Sequence, residues 1–178
     1  MGVSLDGFTA GRGGELDWSA PGEELLSFHN EQVRELGVQV CGRGLYEDML
    51  PWEHPDQRAP SSELEAEFAR MWTELPKLVF SSTLERVEGK ATLARGDLAD
   101  EIARLKEQPG KDIAVGGARL AGSVMRLGLI DECRLFVSPV LLGGGTPYFP
   151  ALEDRLELTL VQTRTFGSRV VYLRYRRA

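Results

Sequence analysis

Apolar residues recur at helical spacing over residues 23–36, where Leu25, Leu26, Val33 and Leu36 accompany Phe28 and His29. The spacing predicts a helix there, with Gly37 in the C′ position, and then a short strand over 38–42. Residues 44–50 read as one or two helical turns stopped by Pro51. A polar, proline-rich loop follows over 51–62, and Leu64, Phe68, Met71 and Trp72 predict a short helix over 63–73. Residues 77–81 form an apolar strand pattern and 91–93 a weaker one. Asp97 is placed to cap a helix running to Gln108, with Leu98, Ile102 and Leu105 on one face. Residues 113–115 make a further strand, and 118–127 a further helix. In the long strand over 132–142, Cys133, Leu135 and Val137 alternate with Arg134, Phe136 and Ser138. Residues 156–165 and 169–176 pair as a hairpin across Gly167 and Ser168.

Strands alternate with helices through the middle of the chain, and three strands end it. That order predicts an α/β fold whose sheet is parallel in the middle with an antiparallel C-terminal edge. A length of 178 residues suits one domain with a substantial core. The net charge of −6 argues against nonspecific nucleic-acid binding, which needs a basic face. No apolar run reaches the roughly 20 residues that span a bilayer, and the first residues lack the pattern of a secretory signal, so a cytoplasmic protein is expected. Cys41 and Cys133 both lie in apolar strand patterns and read as buried core thiols. With two distant histidines and no paired cysteine motif, no metal site is expected.

The candidate chemistry lies where strands end. Gly116 and Gly117 close one strand and open a helix, and glycines at such a junction let a phosphate approach main-chain N–H groups. The alternative is a tight turn without a ligand. Gly42-Arg43-Gly44 also follows a strand, and an arginine there can grip a phosphate with two parallel hydrogen bonds. Its spacing matches only half of a dinucleotide fingerprint, because Glu47 stands where the third glycine belongs, so a standard Rossmann unit is not supported. Neither glycine cluster carries the Lys-Ser/Thr ending of a P-loop. Ser81, Ser82 and Thr83 put three hydroxyls at another strand end. In a parallel sheet such ends share one side, and ligands bind there. A third glycine run, Gly143-Gly144-Gly145, either wraps a phosphate or forms a plain strand-exit loop. Asp6 either binds a substrate hydroxyl or forms a turn with Gly7. Glu23 and Glu24 open the first predicted helix, where carboxylates complement the dipole; one of them facing a pocket could instead hold a substrate N–H or supply a proton. His29, Trp18, Trp52 and Trp72 read as packing residues.

The order and spacing of several short motifs resemble the dihydrofolate reductase superfamily. The closer likeness is to the reductase domain of bifunctional riboflavin-biosynthesis deaminase/reductases and their stand-alone relatives. The motifs are Ser4-Leu5-Asp6-Gly7-Phe8, Gly42-Arg43 with Tyr46-Glu47, Leu78-Val79-Phe80-Ser81-Ser82, Ile113-Ala114-Val115-Gly116-Gly117, Leu129-Ile130-Asp131-Glu132, and Pro139-Val140-Leu141-Leu142-Gly143-Gly144. The resemblance implies a dihydrofolate-reductase-like mixed sheet of about eight strands flanked by helices, with NADPH bound to it. It places Gly42, Arg43, Ser81, Ser82, Gly116, Gly117, Ala118, Arg119 and Leu120 at the cofactor, with Arg43 on the 2′-phosphate. It also implies a cis bond between Gly116 and Gly117.

On the substrate side it points to Asp6 and to Glu23 or Glu24. Anchoring on Trp18 and Pro21 selects Glu23; anchoring on Phe28 selects Glu24. The loop over 10–21 is a candidate lid. Leu45 stands where members often have threonine, and Leu45-Tyr46-Glu47-Asp48-Met49 replaces the stretch with which riboflavin reductases meet their ribosyl-phosphate substrate. The expected activity is NADPH-dependent hydride transfer to a small heterocyclic or ribosylamino-pyrimidine-like substrate, in a homodimer paired through C-terminal strands. The alternatives are a nucleotide-binding sensor without turnover and a structural dimerisation module.

Overall fold

The computed structural model describes residues 1–54 and 56–178. Pro55, part of the expected 51–62 loop, lies outside the described residues. In chain order the elements are β1 (Gly2–Ser4), β2 (Phe8–Ala10), α1 (Glu23–Arg34), β3 (Leu36–Gly42), α2 (Arg43–Met49), α3 (Glu63–Glu74), β4 (Lys77–Phe80), β5 (Ala91–Leu93), α4 (Leu98–Lys106), β6 (Asp112–Gly116), α5 (Ala118–Arg126), β7 (Glu132–Ser138), β8 (Thr146–Pro147), β9 (Leu158–Thr165) and β10 (Val171–Arg177). The chain divides into two units. One comprises Met1–Leu25 with Gly122–Ala178, and the other is the continuous stretch Leu26–Ala121.

The continuous unit carries a four-stranded sheet in the order β5-β4-β3-β6, with every pairing parallel. A parallel sheet is covered on both faces, and its strands are correspondingly apolar. Val40 and Val79 are fully buried. Cys41, Tyr46, Val79 and Leu93 form a core cluster joined by Leu45, Leu50 and Leu84. A fully buried valine such as Val40 or Val79 contributes about 1.5–3 kcal/mol. Asp97 caps α4 as expected, its carboxylate accepting from Ala99 N at 2.8 Å. Ser62 caps α3 in the same way, accepting from Glu65 N.

Several boundaries differ from the sequence expectation, and α4 ends at Lys106 rather than Gln108. Helix α1 stops at Arg34, and Gly37 lies inside β3 rather than capping the helix. Pairing with β6 begins early, because Asp112 N donates to Glu35 O at 3.0 Å, and the register slips between Leu36 and Val38, where Gly37 sits. Pro51 does not stop the second helical segment; it occupies the first turn of a 3-10 helix, Leu50–Glu53, where a missing N–H costs nothing.

The other unit holds a sheet ordered β1-β7-β10-β9 and a small pair, β2-β8. β1 runs parallel to β7, and β7, β10 and β9 pair antiparallel. The C-terminal hairpin forms as expected. Its corner closes through Phe166 N to Val170 O and Arg169 N to Phe166 O, with Arg169 at φ +66°. Val3, Met125, Cys133 and Leu135 make one core cluster of this unit. Phe136 and Ser138, expected on the polar face of β7, are also buried, and the Phe136 ring lies 4.9 Å from that of Tyr172. β7 is paired on both edges, with β1 and β10. It ends at Ser138, short of Leu142, because Pro139 has no N–H to continue the ladder. Both cysteines are free and buried. No helix among the described residues is long and apolar enough to cross a membrane.

Candidate functional site

The four parallel strands of the continuous unit all end on one side of their sheet. β3 ends in Gly42 and leads straight into α2 through Arg43. β4, its neighbour on one flank, exits through Ser81, Ser82 and Thr83; β6, on the other flank, exits through Gly116 and Gly117 into α5. Gly42, Arg43, Ser81, Ser82, Gly116 and Gly117 are therefore gathered at one sheet end. Ala118, Arg119 and Leu120 form the first turn of α5, with Arg119 exposed.

Packing explains the glycines. A Cβ on Gly116 would lie 2.3 Å from Leu45 Cδ2 and 2.7 Å from Gln39 Nε2, so a larger residue would force the Leu45 and Gln39 side chains to shift. Gly117 has φ +84°, the left-handed region that only glycine enters freely. The cis bond implied by the resemblance is not present: no described peptide bond is cis. The chain turns instead through the positive φ of Gly117, which avoids the roughly 3 kcal/mol of a cis non-proline bond. Leu45, standing where relatives often carry threonine, fills the space beneath this turn.

Arg43 is exposed, but it is not loose. Its Nε donates to Glu47 Oε1 at 2.8 Å and its Nη1 to Thr83 Oγ1 at 2.9 Å. Ser81 faces inward to its own loop, where its Oγ accepts from Thr83 N and Leu84 N at 3.2 and 3.0 Å. Ser82 is exposed at the same strand end.

A cleft of about 400 Å³ opens beside the Arg43–Thr83 contact, floored by Tyr46, Leu50 and Leu84. Glu47, Glu85 and Glu88 against Arg86 make its wall unfavourable for a phosphate. Sequence reasoning did not select Arg95, which follows β5 at this same sheet end and is exposed. The weakness of the three-residue strand before it hid the signal. The roles of Glu47 and Thr83 in holding Arg43 were also missed, although the i,i+4 spacing of Arg43 and Glu47 was legible.

The expected substrate-side residues lie in the other unit. The Asp6 carboxylate accepts from the Ser4 hydroxyl at 2.6 Å, from Leu142 N at 3.1 Å and from Gly143 N at 2.7 Å. The hydroxyl, followed by the two amides, holds its pKa below the ordinary aspartate value. Leu142 and Gly143, at the start of the third glycine run, thus give their amides to an anion the chain already contains. The turn at this point is closed by Gly7 N on Ser4 O, with Gly7 at φ +89°.

Glu24 is engaged with the C-terminal hairpin. It accepts from Gly167 N at 2.9 Å and from Arg164 Nη2 at 3.2 Å, and these contacts lower its pKa. Glu23 begins α1 and is exposed. In the 10–21 loop, Gly11 N donates to Glu15 O, Trp18 Nε1 donates to Glu15 O, and Arg12 Nη2 donates to Gly143 O. No cluster of His, Cys, Asp and Glu suited to a metal occurs among the described residues.

The family profile of the RibD C-terminal domain matches residues 1–172. The chain belongs to the RibD C-terminal domain family. It is 34% identical over 176 residues to the uncharacterized protein YyaP of Bacillus subtilis (strain 168), covering 98% of this chain and 91% of that one. A crystal structure of a putative riboflavin biosynthesis protein from Shewanella sp. PV-4 superposes with a TM-score of 0.79 at 25% identity, over 100% of this chain and 96% of the other. The diaminohydroxyphosphoribosylaminopyrimidine deaminase/5-amino-6-(5-phosphoribosylamino)uracil reductase of Thermotoga maritima shares the fold, with a TM-score of 0.68 at 15% identity. That match covers 99% of this chain and 55% of that protein. Membership of the RibD C-terminal domain family thus agrees with the expected α/β class, with parallel strands in one unit and an antiparallel C-terminal edge in the other.

Proposed function

We propose that this RibD-type domain is an NADPH-dependent reductase acting on a small heterocyclic or ribosylamino-pyrimidine-like substrate. The observation that carries the reading is the gathering of Arg43, Ser82 and the Gly116–Gly117 turn at the ends of adjacent parallel strands. The donor set suits a phosphorylated dinucleotide: a guanidinium with N–H groups beyond those given to Glu47 and Thr83, an exposed hydroxyl, and a turn without Cβ atoms leading into a helix. Arg43 would take the 2′-phosphate with Ser82 beside it. Gly116, Gly117, Ala118 and Arg119 would take the pyrophosphate. Bound nicotinamide would supply the hydride; the protein would orient the ring and exclude water. Asp6 and Glu23 or Glu24 remain the substrate-side assignment.

Titration with NADPH and NADH, read by nicotinamide fluorescence and thermal shift, tests this. A ligand specific to the native state raises Tm, and NADPH is expected to do so at lower concentration than NADH. Arg43→Ala should weaken NADPH far more than NADH; equal weakening rejects the phosphate assignment.

A second reading, a nucleotide-binding domain without turnover, draws support from Asp6 and Glu24, both ionised and both committed to backbone amides. Binding of NADPH with no oxidation across pterin, dihydrofolate and pyrimidine substrates would favour it. For assembly we propose a homodimer through β9. This eight-residue edge strand exposes Leu160 and Val161 and carries no lysine or proline to block pairing. Light scattering of the wild type and of Val161→Lys would test it, with a monomeric wild type rejecting the proposal.

A further inference from the structure

Arg43 gives two of its N–H groups to the protein before any ligand arrives. One goes to Glu47, one helical turn along α2. The other crosses to the exit of β4, where it meets the Thr83 hydroxyl at 2.9 Å. Thr83 is itself held. Its Oγ1 lies 3.4 Å from Ser81 Oγ, and that oxygen accepts from the backbone N–H groups of Thr83 and Leu84. A chain of contacts therefore runs from the β4 exit loop through two hydroxyls to a guanidinium on the neighbouring strand end.

An exposed arginine ordinarily samples many rotamers and loses that freedom when it binds an anion. Here Glu47 fixes the Nε edge and Thr83 fixes one terminal nitrogen, so the guanidinium plane is set in advance. A guanidinium only donates, so Thr83 must accept from it, and valine at this position would remove that acceptor at nearly constant volume.

We propose that Thr83 is a positioning residue for phosphate recognition: by orienting Arg43 it sets how strongly the site prefers a 2′-phosphorylated adenosine over its unphosphorylated counterpart. The inference rests on the reading of Arg43 as the 2′-phosphate ligand. It goes further by placing part of that preference in a residue which need not touch the ligand.

The test uses adenosine 2′,5′-bisphosphate and 5′-AMP as calorimetric probes, so that no turnover is required. Wild type should bind the bisphosphate more tightly. Thr83→Val should weaken the bisphosphate about five- to tenfold, the scale of ordering one long side chain, and leave 5′-AMP within about twofold. Thr83→Ser, which restores the hydroxyl, should recover the wild-type ratio, and Thr83→Ala should behave as valine does; thermal melts identify a variant that has lost its fold. A purely structural role would move both probes together, and that result overturns the proposal. A wild type with no preference for the bisphosphate overturns the assignment of Arg43 and this inference with it. A wild type with the preference and a Thr83→Val that keeps it overturns this inference alone.

Discussion

Gly116 packs directly against Leu45: a single Cβ on the glycine would stand 2.3 Å from Leu45 Cδ2. Gly116→Ala should therefore lower stability by about 1–3 kcal/mol, the usual cost of overpacking. Replacing Leu45 as well, in Gly116→Ala/Leu45→Ala, should recover part of the stabilising turn geometry and of nucleotide binding. Urea unfolding and NADPH titration check both effects, and an unperturbed Gly116→Ala single variant would contradict the packing described.

Lys77 and Glu53 form an ion pair at 2.8 Å with side chains 1% and 6% exposed. Lys77 Nζ also donates to the carbonyls of Trp72 and Leu75. Lys77→Met leaves a buried carboxylate without its cation and should cost about 3–5 kcal/mol. Lys77→Met/Glu53→Leu should cost less than the sum of the single changes, because the stranded charge is gone. Equilibrium denaturation of the four proteins of the cycle measures this coupling.

Burial lowers the pKa of His29 to about 4. Its folded pKa thus lies below the unfolded value near 6.5. As pH falls through 6.5 the unfolded chain takes up a proton that the folded chain refuses, so stability declines until about pH 4 and this contribution then levels off. The full span is about 3 kcal/mol. His29→Gln should flatten the stability profile between pH 6.5 and 4, and an unchanged slope would show that another group governs this range.

Glu47 helps to orient Arg43, but its charge opposes an incoming phosphate. Glu47→Gln keeps an oxygen to accept from Arg43 Nε and removes the charge. NADPH affinity should rise about threefold at low salt, the Coulomb energy of two charges roughly 6 Å apart in water. The gain should fade at 1 M salt. Weaker binding at low salt would mean that orientation through the ionised carboxylate outweighs repulsion.

Much of this architecture was legible because it follows from local pattern. Asp97 announced α4, Gly167 and Ser168 announced the hairpin, and the glycine pair announced the junction of β6 with α5. What escaped depends on partners far along the chain. Gly37 reads as a helix cap until Asp112 pairs with Glu35 and draws the strand back toward the helix. Phe136 reads as outward-facing until Tyr172 covers it. At the site, the residue types were visible, but the commitments of their hydrogen bonds were not. Asp6 could not be seen to spend itself on Leu142 and Gly143, nor Glu24 on Gly167, because alternation and capping rules say nothing about side chains reaching loops more than a hundred positions away.

Among the described residues β1 finds its ladder partner in β7, with Gly2 opposite Phe136. During synthesis the opening strand leaves the ribosome long before its neighbour has been translated. The stretch Leu26–Ala121 needs no such wait, since all four of its strands are contiguous in sequence. Nascent chains should therefore acquire protease resistance in that stretch first, while the opening residues stay vulnerable until the last hairpin has emerged.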